Sequence, residues 1–131
     1  MNITADTNVL IRSVVQDDLR QAASADRLLR KAELIAVTLP CLCEFAWVLD
    51  RLYGFKRHDI ATAIRALLDA RSVVVDRPGA AAGLAVLEAG GDFADGVIAY
   101  EGAKLGGDTF VSFDKQAVKL LQASGASARL P

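Results

Sequence analysis

The sequence predicts an α/β fold in which a mostly parallel central sheet of four to five strands is flanked by helices. Three observations carry this reading. Short apolar segments alternate with helical segments of ten or more residues along the whole chain, the pattern of a parallel sheet covered on both faces. The chain has 131 residues, 53% of them hydrophobic, enough to bury a core but not to build two independent domains. No internal repeat, linker or low-complexity segment interrupts it, so one domain over 1–131 is expected.

The elements follow in order. NITAD opens as a short strand, and TNVLIRSVV turns at once into a helix by its apolar spacing. DDLRQAASADRLLRKAE repeats Leu19, Ala22, Ala23, Leu28, Leu29 and Ala32 near a helical period, with Asp17 or Asp18 as its cap. LIAVT reads as a buried strand. Pro40 suits the first turn of the next helix and Gly54 its stop, which frames CLCEFAWVLDRLY between them. RHDIATAIRALLDA is amphipathic and helical, and SVVVD is a short strand. PGAAAGLAVLEAGG is Ala-rich and helical despite an internal Gly that costs roughly 1 kcal/mol. DFADGVIAYEGAKLGG makes a helix, TFVSF a strand, DKQAVKLLQAS a helix and SARLP a final edge strand.

Composition excludes several classes of function. No apolar run approaches the roughly 18 residues that span a bilayer. The N-terminus carries an acid where a signal peptide would be basic, so a cytoplasmic protein with no membrane partner is expected. Fifteen basic and 16 acidic residues give a net charge of -1, so there is no overall field to attract nucleic acid, and any RNA must be held locally. Cys41 and Cys43 lie too close in a helix for a disulfide and are too few for zinc, which leaves them as packing residues.

The acids ask for more explanation. Asp6 in ADTNVL and Asp114 in SFDKQA each end a strand and open a helix. Sites in open α/β sheets gather at the carboxyl ends of strands, so both acids are expected on one edge of the sheet, facing the same crevice. Capping explains each of them equally well, since Asp is a good N-cap residue. Asp92 and Asp95, three apart at a helix start, resemble a capping box and suit the helix dipole. Glu44 resists such an account. It stands beside an apolar stripe of Cys41, Phe45, Val48, Leu49 and Leu52, where a carboxylate needs a cation or a strong hydrogen-bond partner. No Arg or Lys lies within a turn on that face, and the remaining alternative is that Glu44 sits at the helix flank and reaches solvent.

If Asp6, Glu44, Asp95 and Asp114 converge, four carboxylates in a partly dry crevice repel one another until protonation or a divalent cation relieves them. Oxygen donors without His or Cys suit magnesium or manganese rather than zinc. Magnesium takes part of its shell from substrate phosphate, which makes phosphodiester hydrolysis the natural chemistry, with one ion to acidify the attacking water and a second, if present, to stabilise the leaving oxygen.

ADTNVLIR, CEFAWVL, DFADGVIAY and SFDK, in that order over essentially the whole chain, resemble the PIN-domain family, and more narrowly the VapC-type toxins of bacterial type II toxin–antitoxin modules. The resemblance implies a PIN-like α/β/α sandwich, with an acidic metal site on Asp6, Glu44, Asp95 and Asp114. It also implies a Mg2+- or Mn2+-dependent endoribonuclease acting on RNA, homodimerisation, and inhibition by a cognate antitoxin. Two positions depart from the family pattern: Thr38, in TLPCLC, stands for a Ser or Thr before the glutamate helix, and Ser112 with Phe113 stands where many relatives have Thr before the last acid. Neither removes a ligand.

Other residues have two readings each. Asn8 either orients a water or phosphate or caps the first helix. Asp92 is a cap residue or an outer contact of the metal site. Arg12 and Lys115 are candidates for RNA phosphate, against a solvated helix face for Arg12 and local charge balance for Lys115. His58 reads as a surface residue, and Trp47 and Tyr53 as core or dimer contacts. An aspartyl-nucleophile phosphatase would need a second Asp where Asn8 stands, and a receiver domain would need an acidic pair in ITADTN. The remaining competitor is a catalytically inactive PIN-like module that binds RNA or a partner.

Overall fold

A computed structural model describes residues 1–131. The chain divides into two compact units, Met1–Asp76 and Arg77–Pro131. Every strand pairing in both is parallel, as the alternation of strands and helices requires.

The first unit contains β1 (Asn2–Thr4), α1 (Thr7–Val14), α2 (Leu19–Lys31), β2 (Leu34–Ala36), α3 (Leu39–Arg51), α4 (Arg57–Asp69) and β3 (Val73–Val74). Its sheet has the order β1-β2-β3, with Ile3 opposite Ile35 and Ile35 opposite Val73. Two helices bridge each parallel crossover, α1 and α2 from β1 to β2, α3 and α4 from β2 to β3. Local chemistry sets the ends. Asp18 caps α2 by accepting from the Gln21 amide at 3.0 Å. Thr38 caps α3 by accepting from the Cys41 amide at 3.2 Å, and Pro40 lies in that helix's first turn. Gly54 ends it with a φ of 65°. Leu10, Ile11, Ile35, Leu42, Phe45, Leu49, Ile60, Ile64 and Val73 are buried.

The second unit contains α5 (Arg77–Glu88), α6 (Phe93–Lys104), β4 (Thr109–Val111), α7 (Lys115–Ala123) and β5 (Ser127–Arg129). β4 and β5 form a two-stranded sheet, with Phe110 opposite Ala128 and α7 as the crossover. Val86, Val118, Leu121 and Ala128 form a core cluster, against which Ala99, Phe110 and Leu120 pack. α5 and α6 touch through glycine. A Cβ on Gly83 would stand 2.6 Å from the Phe93 ring, and one on Gly96 would collide with the Ala82 carbonyl. The internal glycine expected to weaken α5 therefore makes room for close helix packing, which offsets its propensity cost.

Each segment read as a strand or a helix is one. The five strands, however, form a three-stranded and a two-stranded sheet rather than a single one. SVVVD shrinks to the two residues Val73 and Val74. The α3 stripe also turns relative to the sequence expectation: Leu42 and Ala46 are buried on it, whereas Leu52 is 68% exposed, because the helix ends at Arg51 and Leu52 follows into the turn.

Candidate functional site

In the first unit, Asp6 follows β1 by two residues and is the N-cap residue of α1, with extended backbone (φ -79°, ψ 158°). It makes no side-chain capping bond, so the capping explanation fails there. Its carboxylate is exposed while its neighbours Ala5 and Thr7 are buried. The Thr7 hydroxyl donates to Cys41 Sγ at 3.6 Å, and that thiol donates to the Ala5 carbonyl at 3.5 Å. Cys41 thus ties the turn carrying Asp6 to α3, one helical turn before Glu44. Burial pushes the Cys41 thiol up; the Thr7 hydrogen bond opposes this, and the negative charges of Asp6 and Glu44 add to it. Both acids therefore act on the same buried sulfur.

Glu44 itself is exposed, not set into the core face. It lies on the flank of α3 between buried Cys41 and Phe45 on one side and exposed Trp47 on the other. Solvent answers its charge, so its position imposes no need for a buried cation. Asn8 and Thr38 are exposed as well, and Thr38 spends its hydroxyl oxygen on the α3 cap.

In the second unit, Asp92 occupies the N-cap position of α6 without a side-chain cap bond, and Asp95 stands in the first turn. The expected capping box is absent: the Asp95 amide bonds the Asp92 backbone carbonyl instead, at 3.1 Å. Burial raises the Asp95 carboxyl above its ordinary range, and the charges of Asp92 and Asp114 raise it further. Asp114 does cap. Its Oδ1 accepts from the amides of Gln116 at 3.0 Å and Ala117 at 3.1 Å, while its own amide donates to the Ser112 hydroxyl at 3.0 Å. The second carboxylate oxygen of Asp114 makes no hydrogen bond within the protein.

Some candidates are occupied elsewhere. Arg12 is neither a solvated residue nor a free phosphate ligand: it bonds Asp17 at 2.6 Å, Gln21 at 2.7 Å and the Tyr53 hydroxyl at 3.3 Å. Tyr53 donates to Asp17 at 3.0 Å, so it closes a polar network rather than a core. Desolvation opposes the ionised form of Asp17, but the Tyr53 hydrogen bond and the Arg12 charge outweigh it and lower the carboxyl. Trp47 is 55% exposed and does not belong to the core. Cys41 is buried, Cys43 half-buried, and neither forms a disulfide. His58 is exposed, as expected.

The site residues thus fall into two acidic groups: Asp6 and Glu44 about Cys41, and Asp92, Asp95 and Asp114 at the starts of α6 and α7. No three His, Cys, Asp or Glu side chains are drawn together closely enough to hold a metal ion. The donor set is nonetheless of one kind. It consists of carboxylate oxygens, mostly uncapped, with a mutual repulsion at Asp95 that a hard divalent cation would relieve. Sequence reasoning missed the Cys41 bridge, whose signal was present in the thiol standing one turn before Glu44.

The PIN domain family model matches residues 3–120. The chain belongs to the PIN-domain family. PIN domains are generally metal-dependent nucleases, and nuclease chemistry is the coarse assignment that membership supports. No match was found among curated proteins or among solved structures. No helix is long and apolar enough to cross a membrane.

Proposed function

We propose that this protein is a Mg2+- or Mn2+-dependent endoribonuclease and the toxin of a VapC-type type II toxin–antitoxin pair, acting as one PIN domain in the cytoplasm. The observation that carries the reading is the placement of Asp92, Asp95 and Asp114 at the starts of α6 and α7 in a chain of the PIN-domain family. Asp92 and Asp114 both raise the partly buried Asp95 carboxyl at the starts of α6 and α7, a repulsion that a bound cation would relieve. The PIN-domain family match over residues 3–120 covers all the acids named.

In this reading Asp6, Glu44, Asp95 and Asp114 hold the ion, with Asp92, Asn8, Thr38 and Ser112 around them and Lys115 placed for substrate phosphate. The ion, when bound, supplies positive charge to the phosphodiester and lowers the pKa of a water. The protein's own share is positioning. Asp114 is held by two backbone amides through Oδ1, which fixes the direction of its remaining oxygen. Ser112 holds the turn before it through the Asp114 amide. Cys41 and Thr7 hold the Asp6 turn against α3. Asp95, partly buried beside Asp92 and Asp114, stands where a cation's charge would offset the desolvation and repulsion that raise its carboxyl.

A homodimer is part of the proposal. Exposed Trp47 and Leu52 on and just after α3 give an apolar surface, and two-fold dimers are the commonest oligomer. A cognate antitoxin inhibits the enzyme by placing a basic side chain among the carboxylates, where it satisfies the same charge requirement as the ion. A second reading, a catalytically inactive PIN-like module that binds RNA or a partner, is favoured by one observation: Asp114 has a structural task as a helix cap. Mapping cleavage sites on total RNA with magnesium and with chelator separates the two. Magnesium-dependent cuts support the enzyme, and intact RNA under both conditions supports the inactive module.

A further inference from the structure

Three of the five Arg and Lys residues in Arg77–Pro131 line one groove of about 720 Å³, between α7 and β5. Lys115 and Lys119 stand one turn apart on α7, and Arg129 comes from β5. None of the three forms an ion pair. Val118 and Leu130 give the groove an apolar lining. Gln122 donates from Nε2 to the Ala128 carbonyl at 2.8 Å and bridges the helix to the strand, while Arg129 Nε donates to the Leu130 carbonyl at 3.0 Å, leaving its terminal nitrogens uncommitted. Such cations concentrate positive charge on one surface of a chain whose net charge is -1. Phe113, 86% exposed, precedes this helix, two residues before Lys115.

We infer that the α7–β5 groove is a track for single-stranded RNA, with Lys115, Lys119 and Arg129 taking successive backbone phosphates and Phe113 offering a face to a base. Unpaired cations along a groove, an apolar lining and an exposed aromatic are the parts of a sequence-tolerant single-strand site. The track starts at Lys115, next to Asp114, so a strand lying in it reaches the acids at the head of α7. An acidic protein partner would also bury Phe113, but cations spaced along one groove match the evenly repeated charge of a nucleic-acid strand, which favours RNA. The inference rests on the ribonuclease reading for its choice of ligand but not on the metal site.

The test is binding of a short, unstructured, fluorescent RNA to the full chain in chelator, where no cleavage occurs, across a salt series. Three phosphate contacts predict a slope of log affinity against log salt of about -2, at roughly -0.7 per phosphate on single strands. Lys119→Gln with Arg129→Gln should weaken binding about tenfold or more at low salt and cut the slope to about -0.7. Phe113→Ala should weaken binding several-fold while leaving the slope unchanged, since stacking carries no charge. Circular dichroism should show wild-type folding for these exposed substitutions. Wild-type protein that does not bind the RNA, a slope unchanged in the double variant, or displacement of the RNA by polyglutamate at equal charge concentration would each overturn the track. Magnesium-dependent cleavage with an unchanged slope refutes the track alone, whereas the expected slopes without cleavage refute the ribonuclease alone.

Discussion

At the junction of β1 and α1, Asp6 stands at the N-cap with extended backbone and makes no capping bond; at the junction of β4 and α7, Asp114 stands at the N-cap with extended backbone and makes two. Both follow the carboxyl end of a parallel strand. Their difference separates an N-cap position from N-cap work. A good capping bond contributes about 1 kcal/mol, and forgoing it leaves the Asp6 carboxylate available to something outside the helix. The turn at Asp6 is held instead by its neighbours, through Thr7, Cys41 and the Ala5 carbonyl. At Asp114 one oxygen serves the helix and the other is left for a ligand.

The largest effect expected from this contrast is on activity. Asp6→Asn, Asp95→Asn and Asp114→Asn each remove a charge while keeping shape, and Asn caps about as well as Asp. Each should lower RNA cleavage by orders of magnitude, at least the roughly 10²- to 10³-fold typical of losing a main electrostatic stabiliser. Cleavage rates with magnesium in excess check this, and near-normal rates would reduce the acids to ordinary helix-start residues.

Next in size is stability. Asp114→Ala should cost about 1 kcal/mol through the lost cap, whereas Asp6→Ala should stay within about 0.5 kcal/mol of wild type because no cap bond is lost. Urea unfolding of both variants would break the comparison if their losses were equal.

A smaller effect concerns Asp95. Its carboxyl is raised in the folded protein by burial and by Asp92 and Asp114. A carboxyl raised on folding binds more protons folded than unfolded, so its ionisation lowers stability as pH rises through the folded value, and protonation in acid restores it. Asp95→Asn should therefore stabilise the metal-free protein at neutral pH, with an advantage that fades as the medium is acidified. Melting temperatures across that pH series check the sign, and an advantage that grew in acid would contradict it.

Much of this was legible in the sequence, and the exceptions have physical causes. Strand and helix order follows from periodicity, and Asp18, Pro40 and Gly54 punctuate helices by chemistry that acts within one turn, whereas the Thr38 cap of α3 emerges only in the structure. Partition into two sheets depends on pairing between distant strands, which no local pattern encodes. Glu44 was misplaced because residues flanking an apolar stripe are only a small rotation from it, and the true buried face includes Leu42 and Ala46. Arg12 was misread since its partners Asp17, Gln21 and Tyr53 lie on other segments, Tyr53 being 41 residues away. Gly83 read as a weakness until Phe93 gave it a packing role. Asp6 and Asp114 were indistinguishable as letters, because the choice between capping and not capping is made by a rotamer.

The central claim is that the acids at these strand ends and helix starts bind a hard divalent ion. Calorimetric titration of manganese into the RNA-free protein tests it most directly. Asp95→Asn and Glu44→Gln should each weaken binding by about an order of magnitude or more. Manganese affinity unchanged by either substitution would contradict the claim.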